Sequence, residues 1–368
     1  MANQDEEMAE YDAKLAEIFK QKRLEKSKKK DLKYQMIHFK NKVFDLLEIF
    51  IRKQPTHPLT LELILPLLAT VLQATSSSEQ IADRAKNLLD KMCKSKALPS
   101  NFSSEYANEI LKETHDMAAR APSKEALDTC SKMSIFLVKV IMKQHEEVSA
   151  NNKDQGSSET GEEDSIKNVG KIYEELLGKY MTNARSRLNL EVFVVFISRF
   201  PIIAWELRDA LAEFMEPTKV PNSYRQVQAY VLMSKLLKEV ANKNPGGSDE
   251  LIYEFMPKIR DSFVVAIDFL KTDQNTGKRQ LKADKLKEIL KVITTIIKMT
   301  NNVVIRISNS SAGKKVSKKK GAIVEKVQEI WGTDTLVEKL GSIKTLPLYK
   351  SSPAINDMIN QIVKTVSK

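Results

Sequence analysis

Val192-Phe193-Val194-Val195-Phe196-Ile197 is the stretch whose reading decides the fold class. Six consecutive apolar residues, β-branched and aromatic, suit a buried strand by composition, and one strand would call for a sheet. Helical patterns lie on both sides of it, around residues 166–180 and 201–217, and no partner strand is in view. We therefore read the run as a buried helix and the chain as all-α.

The composition agrees. Only 11 Gly and 12 Pro interrupt 368 residues, while 42% of the chain is apolar, so long helices joined by short turns are expected. Leu32, Met36, Phe39, Val43, Leu46 and Phe50 recur at steps of four and three and line one helical face. That helix ends near Gln54, because Pro55 and Pro58 disfavour helical geometry in the residues before them. Pro58 opens a second helix through Leu59, Leu63, Ile64, Leu67 and Leu68, kinked at Pro66. Further helices are predicted around residues 79–92, 104–120, 127–141, 186–199, 221–243, 248–270, 280–299, 322–340 and 353–366, with Ser248 as an N-cap ahead of Asp249 and Glu250.

About six helix pairs result, each near the ~40–47 residues of HEAT and armadillo units. The expected architecture is an irregular HEAT/armadillo-like α-solenoid in which each pair buries its apolar face on its neighbours, with a compact helical bundle as the alternative. Along the chain we expect an amphipathic and basic N-terminal helix over 1–31, where Met8, Tyr11, Leu15 and Ile18 run into a lysine-rich stretch. Helical repeats follow over 32–145 and 166–306, with C-terminal helices over 322–368. Residues 146–165 carry seven acidic side chains against one lysine and almost nothing apolar, and are expected to form a disordered acidic loop. Residues 307–321 are expected to form a Lys-rich loop.

Charge is distributed unevenly. Residues 278–368 hold 19 Lys and Arg against 7 Asp and Glu, a net of +12, while the whole chain holds 59 against 48, leaving 40 against 41 in the first 277 residues. A one-sided field of this kind draws polyanions, and nucleic acid is the partner class it fits. The candidate contacts are Lys314, Lys315, Lys318, Lys319 and Lys320, extended upstream by Lys278, Arg279, Lys282 and Lys285. Lysines offer no bidentate geometry, so affinity for phosphate without base readout is expected. The bland reading is a solvated loop or a nuclear-import signal. The second basic run, Lys22, Arg23, Lys26, Lys28, Lys29 and Lys30, reads equally as one solvated helix face.

Catalytic chemistry has no support in the sequence. Two cysteines (Cys93, Cys130) and four histidines show no zinc spacing, Gly313-Lys314-Lys315 lacks the earlier glycine of a phosphate loop, and no carboxylate pair sits in a strand context for a two-metal centre. His57, between Thr56 and Pro58, reads as a turn residue. No catalytic residue, metal or cofactor is expected, and no small-molecule substrate. The acidic opening Asp5-Glu6-Glu7 is unlike a leader, and no stretch reaches the roughly 18 apolar residues of a membrane span, so an intracellular protein with no membrane partner is expected.

The opening Asp5-Glu6-Glu7-Met8-Ala9-Glu10-Tyr11, the segment Phe39-Lys40-Asn41-Lys42-Val43-Phe44-Asp45-Leu46-Leu47-Glu48, the turn Lys53-Gln54-Pro55-Thr56-His57-Pro58-Leu59 and Leu61-Glu62-Leu63-Ile64-Leu65-Pro66-Leu67-Leu68 together resemble the DNA polymerase phi family, which takes in yeast DNA polymerase V and the animal Myb-binding proteins. The resemblance is specific over about residues 5–72 and places this chain in the carboxy-terminal portion of such a protein. It implies a helical-repeat protein of the nucleus and nucleolus that associates with rDNA, rRNA or pre-ribosomal and nucleolar proteins, and that supports rRNA production and ribosome biogenesis. It also implies that the polymerase name is historical.

Overall fold

A computed structural model describes residues 2–75, 78–152, 160–243, 247–272, 275–310 and 319–366. Every regular element among them is helical, and they divide into two compact units, Met1–Phe102 and Ser103–Lys368. The architecture is all-α and solenoid-like, each helix packing mainly on near neighbours in the chain.

The first unit holds α1 (Ala2–Lys53), α2 (Leu59–Glu62), α3 (Ile64–Leu72) and α4 (Glu79–Lys94). α1 is continuous across the boundary expected at 31/32, since its lysines, glutamates and leucines are good helix formers and no Gly or Pro interrupts it before Pro55. In place of the kink expected at Pro66 there is a break at Leu63, three residues earlier, where the proline ring would meet the preceding turn; Pro66 itself lies inside α3. α3 and α4 close on each other through Ile64, Leu68, Ile81, Ala85, Leu88 and Leu89, all buried.

α1 packs on α4 through a face the sequence stripe did not name. Phe44 and Ile51 are buried, and around them the Arg84 guanidinium bonds Asp45 at 2.7 Å and the Asn41 carbonyl at 3.2 Å, while Lys91 pairs with Glu48. These cations hold the Asp45 and Glu48 carboxyls below their ordinary pKa. The stripe predicted from Leu32 to Leu46 faces outward: Leu32, Met36, Phe39 and Leu46 are 60–69% exposed.

The second unit runs from α5 (Ser104–Ala119), α6 (Lys124–Asn152) and α7 (Thr160–Thr182) through α8 (Leu190–Arg199), α9 (Pro201–Ala204) and α10 (Arg208–Phe214) to α11 (Ser223–Lys243) and α12 (Asp249–Phe269). It ends with α13 (Ala283–Ser310), α14 (Lys319–Trp331), α15 (Asp334–Ile343) and α16 (Pro353–Val366). Val192 to Ile197 lies inside α8, whose first turn is capped by Asn189 accepting the Val192 N–H at 3.2 Å. Val192, Phe193, Phe196 and Ile197 are buried, the spacing of a helical face, so the helical reading of the opening stretch holds.

Helix also enters the stretch expected to be a disordered acidic loop over 146–165. α6 continues to Asn152, helped by a Lys143–Glu147 pair one turn apart at 3.2 Å, and α7 begins at Thr160; residues 153–159 lie outside the described residues. Ser248 occupies the N-cap of α12 but makes no capping bond through its side chain. The neighbouring Asp249, buried, accepts instead from Arg306 at 2.6 and 2.8 Å.

The core of the second unit contains a connected polar chain. His115 Nε2 lies 2.7 Å from Ser134 Oγ, which lies 2.5 Å from the Tyr173 hydroxyl, and the Tyr173 ring stacks on Phe196. Burial holds His115 at a pKa of about 3, against 6.5 when solvated, so it folds neutral. Because the folded value lies below the unfolded one, its contribution is whole above pH 6.5 and is lost as pH falls toward 3, by roughly 1.4 kcal/mol per unit. Urea midpoints of the native chain should therefore drop between pH 7 and pH 5, and His115→Gln should reduce that drop. An equal drop in the variant would assign the acid sensitivity to other groups.

Candidate nucleic-acid interface

The upstream basic residues sit on the connection between α12 and α13, and buried groups fix its path. Gly277 takes φ +58, a conformation with little cost only for glycine, and starts a short 3-10 turn to Arg279. The Asn275 side chain accepts the Leu281 N–H at 2.9 Å and donates to the Leu270 carbonyl. The buried Tyr349 hydroxyl donates to the Leu281 carbonyl from far along the chain. The loop is thus pinned at Leu281, whose side chain is buried, while Lys278, Arg279 and Lys282 are exposed. Among the described residues no carboxylate lies within ion-pair distance of these three.

Lys285 differs from them. Its ammonium bonds both Glu288 oxygens at 3.0 and 3.1 Å, lies 5.8 Å from the Tyr224 ring centre, and is half-buried. Nearby, Lys287 pairs with Asp284 at 3.3 Å. Further into the tail, Arg306 is held by Asp249, which raises its pKa, and Lys339 bonds Asp268 at 2.5 Å. Asp249 and Asp268 come from outside the basic quarter, so the fold cancels part of the surplus counted along the sequence.

Lys314, Lys315 and Lys318 lie outside the described residues. Helix reaches into the expected Lys-rich loop from both ends, α13 to Ser310 and α14 from Lys319, so the backbone of Lys319 and Lys320 is helical. Two exposed lysines not singled out from sequence, Lys291 and Lys298, follow Lys287 along the outer face of α13. Their signal was present as a spacing of four and then seven. The Tyr349 anchor had no such signal, because it meets Leu281 only in three dimensions, 68 residues away in sequence.

No group of three His, Cys, Asp or Glu side chains among the described residues is arranged to hold a metal ion. His57 accepts the Leu59 N–H at 3.2 Å within its turn, and burial pushes the Cys130 thiol to about 12, well away from a reactive thiolate.

A family profile described as Myb-binding protein 1A-like, TPR repeats, matches residues 54–342. This chain belongs to that family. A second profile, DNA polymerase phi, matches residues 3–51, so the junction between the two falls where α1 ends. Myb-binding protein 1A of Mus musculus is 25% identical over 331 residues, covering 81% of this chain and 23% of that protein. Myb-binding protein 1A-like protein of Danio rerio is 24% identical over 319 residues, covering 83% and 24%. The chain spans about a quarter of the length of these Myb-binding protein 1A relatives. Among solved structures, a circular tandem repeat protein of novel repeat topology covers 91% of the chain at 12% identity, with a TM-score of 0.26 over 78% of its own length.

Lys278→Ala, Arg279→Ala and Lys282→Ala combined should weaken binding to a DNA duplex and flatten its salt dependence by up to about three log units, near 0.9 for each phosphate no longer neutralised. Lys285→Ala should leave affinity and slope nearly unchanged. An equal effect from Lys285 would show that its Glu288 pairing does not hold it away from phosphate.

Proposed function

We propose that this chain is a non-enzymatic helical scaffold of the nucleolus that grips rDNA or rRNA phosphates through its basic last quarter. In this reading it carries pre-ribosomal and nucleolar proteins along its helical surface, and so supports rRNA production and ribosome biogenesis. The observation that carries it is the exposed and uncompensated trio Lys278, Arg279 and Lys282, displayed on a loop whose backbone is tied to a buried tyrosine. A preorganised cationic loop loses little conformational entropy on docking to a polyanion, and it is followed in sequence by Lys314, Lys315, Lys318, Lys319 and Lys320. The relatives are named for binding Myb, and a protein partner fits the same scaffold.

The test is a titration of nuclease-treated chain with unrelated DNA and RNA duplexes over a range of salt. Binding should be insensitive to base sequence and steeply salt-dependent, and replacing Lys314, Lys315, Lys318, Lys319 and Lys320 by Ala should weaken every duplex alike. Affinity unchanged by that substitution, or a strong preference for one sequence, would overturn the reading of these lysines as phosphate contacts.

A further inference from the structure

α1 carries two apolar faces, and only one has a partner within its unit. Phe44 and Ile51 are committed to α4, fixed by the Arg84 and Lys91 pairs, and this turns the other face to solvent. The outward face follows a stricter period than a core-facing stripe does. Met8, Tyr11, Leu15 and Ile18, then Leu32, Met36, Phe39, Val43, Leu46 and Phe50, keep one 3.5-residue register along the helix, interrupted at Lys22, Glu25 and Lys29. From Leu32 onward every seam position is apolar. Of these, Leu32, Met36, Phe39, Val43 and Leu46 are exposed, and so are Leu15 and Ile18 nearer the N-terminus.

The residues beside this seam say what covers it. Lys26, Lys33 and Lys40 follow the d residues Glu25, Leu32 and Phe39, and Lys28 and Lys42 precede the a residues Lys29 and Val43, all five lysines exposed. Among the described residues no carboxylate lies within ion-pair distance of any of these five, and only Lys42 contributes to the field that lowers a carboxyl, that of Asp45. A second copy of the chain fits poorly. Parallel pairing stacks Lys22 on Lys22 and Lys29 on Lys29 within the seam, and the antiparallel register that covers both apolar ends sets Lys26 against Lys26 and Lys28 against Lys28. Nucleic acid is matched by the lysines but leaves Phe39 and Leu46 in water.

We propose that the Leu32–Phe50 face of α1 is the docking seam for an amphipathic helix of another protein, apolar at a and d and acidic at the flanking e and g positions, which completes a two-stranded coiled coil. The seam then removes from water the apolar side chains that α4 leaves exposed, and the acidic flanks answer the five lysines. This interaction is separate from phosphate binding by the last quarter and stands or falls independently of it.

Two synthetic three-heptad peptides test it against the full chain, both with Leu at a and d, one with Glu and the other with Lys at e and g. The Glu peptide should bind at least about tenfold tighter than the Lys peptide, the sum of several flanking pairs, and should weaken as salt rises. Phe39→Ser with Leu46→Ser should reduce that binding at least about tenfold while helix content by circular dichroism stays unchanged, since both side chains are solvent-facing. Lys33→Glu with Lys40→Glu should reverse the preference toward the Lys peptide. The proposal is overturned if the peptides bind alike or not at all. It is equally overturned if the chain alone sediments as a dimer that the Phe39→Ser, Leu46→Ser variant dissolves, which would make a second copy the occupant.

Discussion

The rotation of α1 about its own axis is set by a small polar clamp. Arg84 reaches Asn41 and Asp45 while Lys91 reaches Glu48, around the buried pair Phe44 and Ile51. Each exposed ion pair contributes little alone, because solvent screens it. Placed on both sides of two buried apolar side chains, they decide which stripe of a doubly amphipathic helix turns inward. α1 has two apolar faces, and the choice leaves a heptad seam in solvent.

Neutral hydrogen bonds predominate inside the second unit, with Asp249 and Arg225 as buried charges. His115, Ser134 and Tyr173 form a chain of hydrogen bonds at the junction of α5, α6 and α7, and Trp331 donates to Thr300 where α14 meets α13. Such bonds are local rulers: they penalise any slide of one helix along the next that would leave a buried donor or acceptor unmatched. The same logic governs the basic loop, where the Tyr349 hydroxyl and the Asn275 amide satisfy the backbone at Leu281 and leave the cationic side chains free. Neutral core groups therefore support the display of charge on this loop.

Carboxylates borrowed from earlier in the chain subtract from the basic quarter. Asp249 and Asp268 neutralise Arg306 and Lys339, and local acids neutralise Lys285 and Lys287. Lys278, Arg279, Lys282, Lys291 and Lys298 keep their charge exposed. A linear count treats these nine residues alike, and the fold sorts them into structural and available cations.

By itself the sequence determined that the regular elements are helices, because 3.6-residue periodicity, scarce Gly and Pro, and the helical patterns around Val192 to Ile197 all act over a few turns. It also determined where helices break at Pro55 and near Pro66, and that the last quarter carries a positive surplus, since both follow from residue identity alone. Tertiary structure decided which face of α1 is buried, which lysines find a carboxylate, and how the loop before α13 is held. The contacts that settle them, Arg84 with Asp45, Lys339 with Asp268 and Tyr349 with Leu281, join residues 39, 71 and 68 positions apart, and no local pattern encodes a distance of that kind.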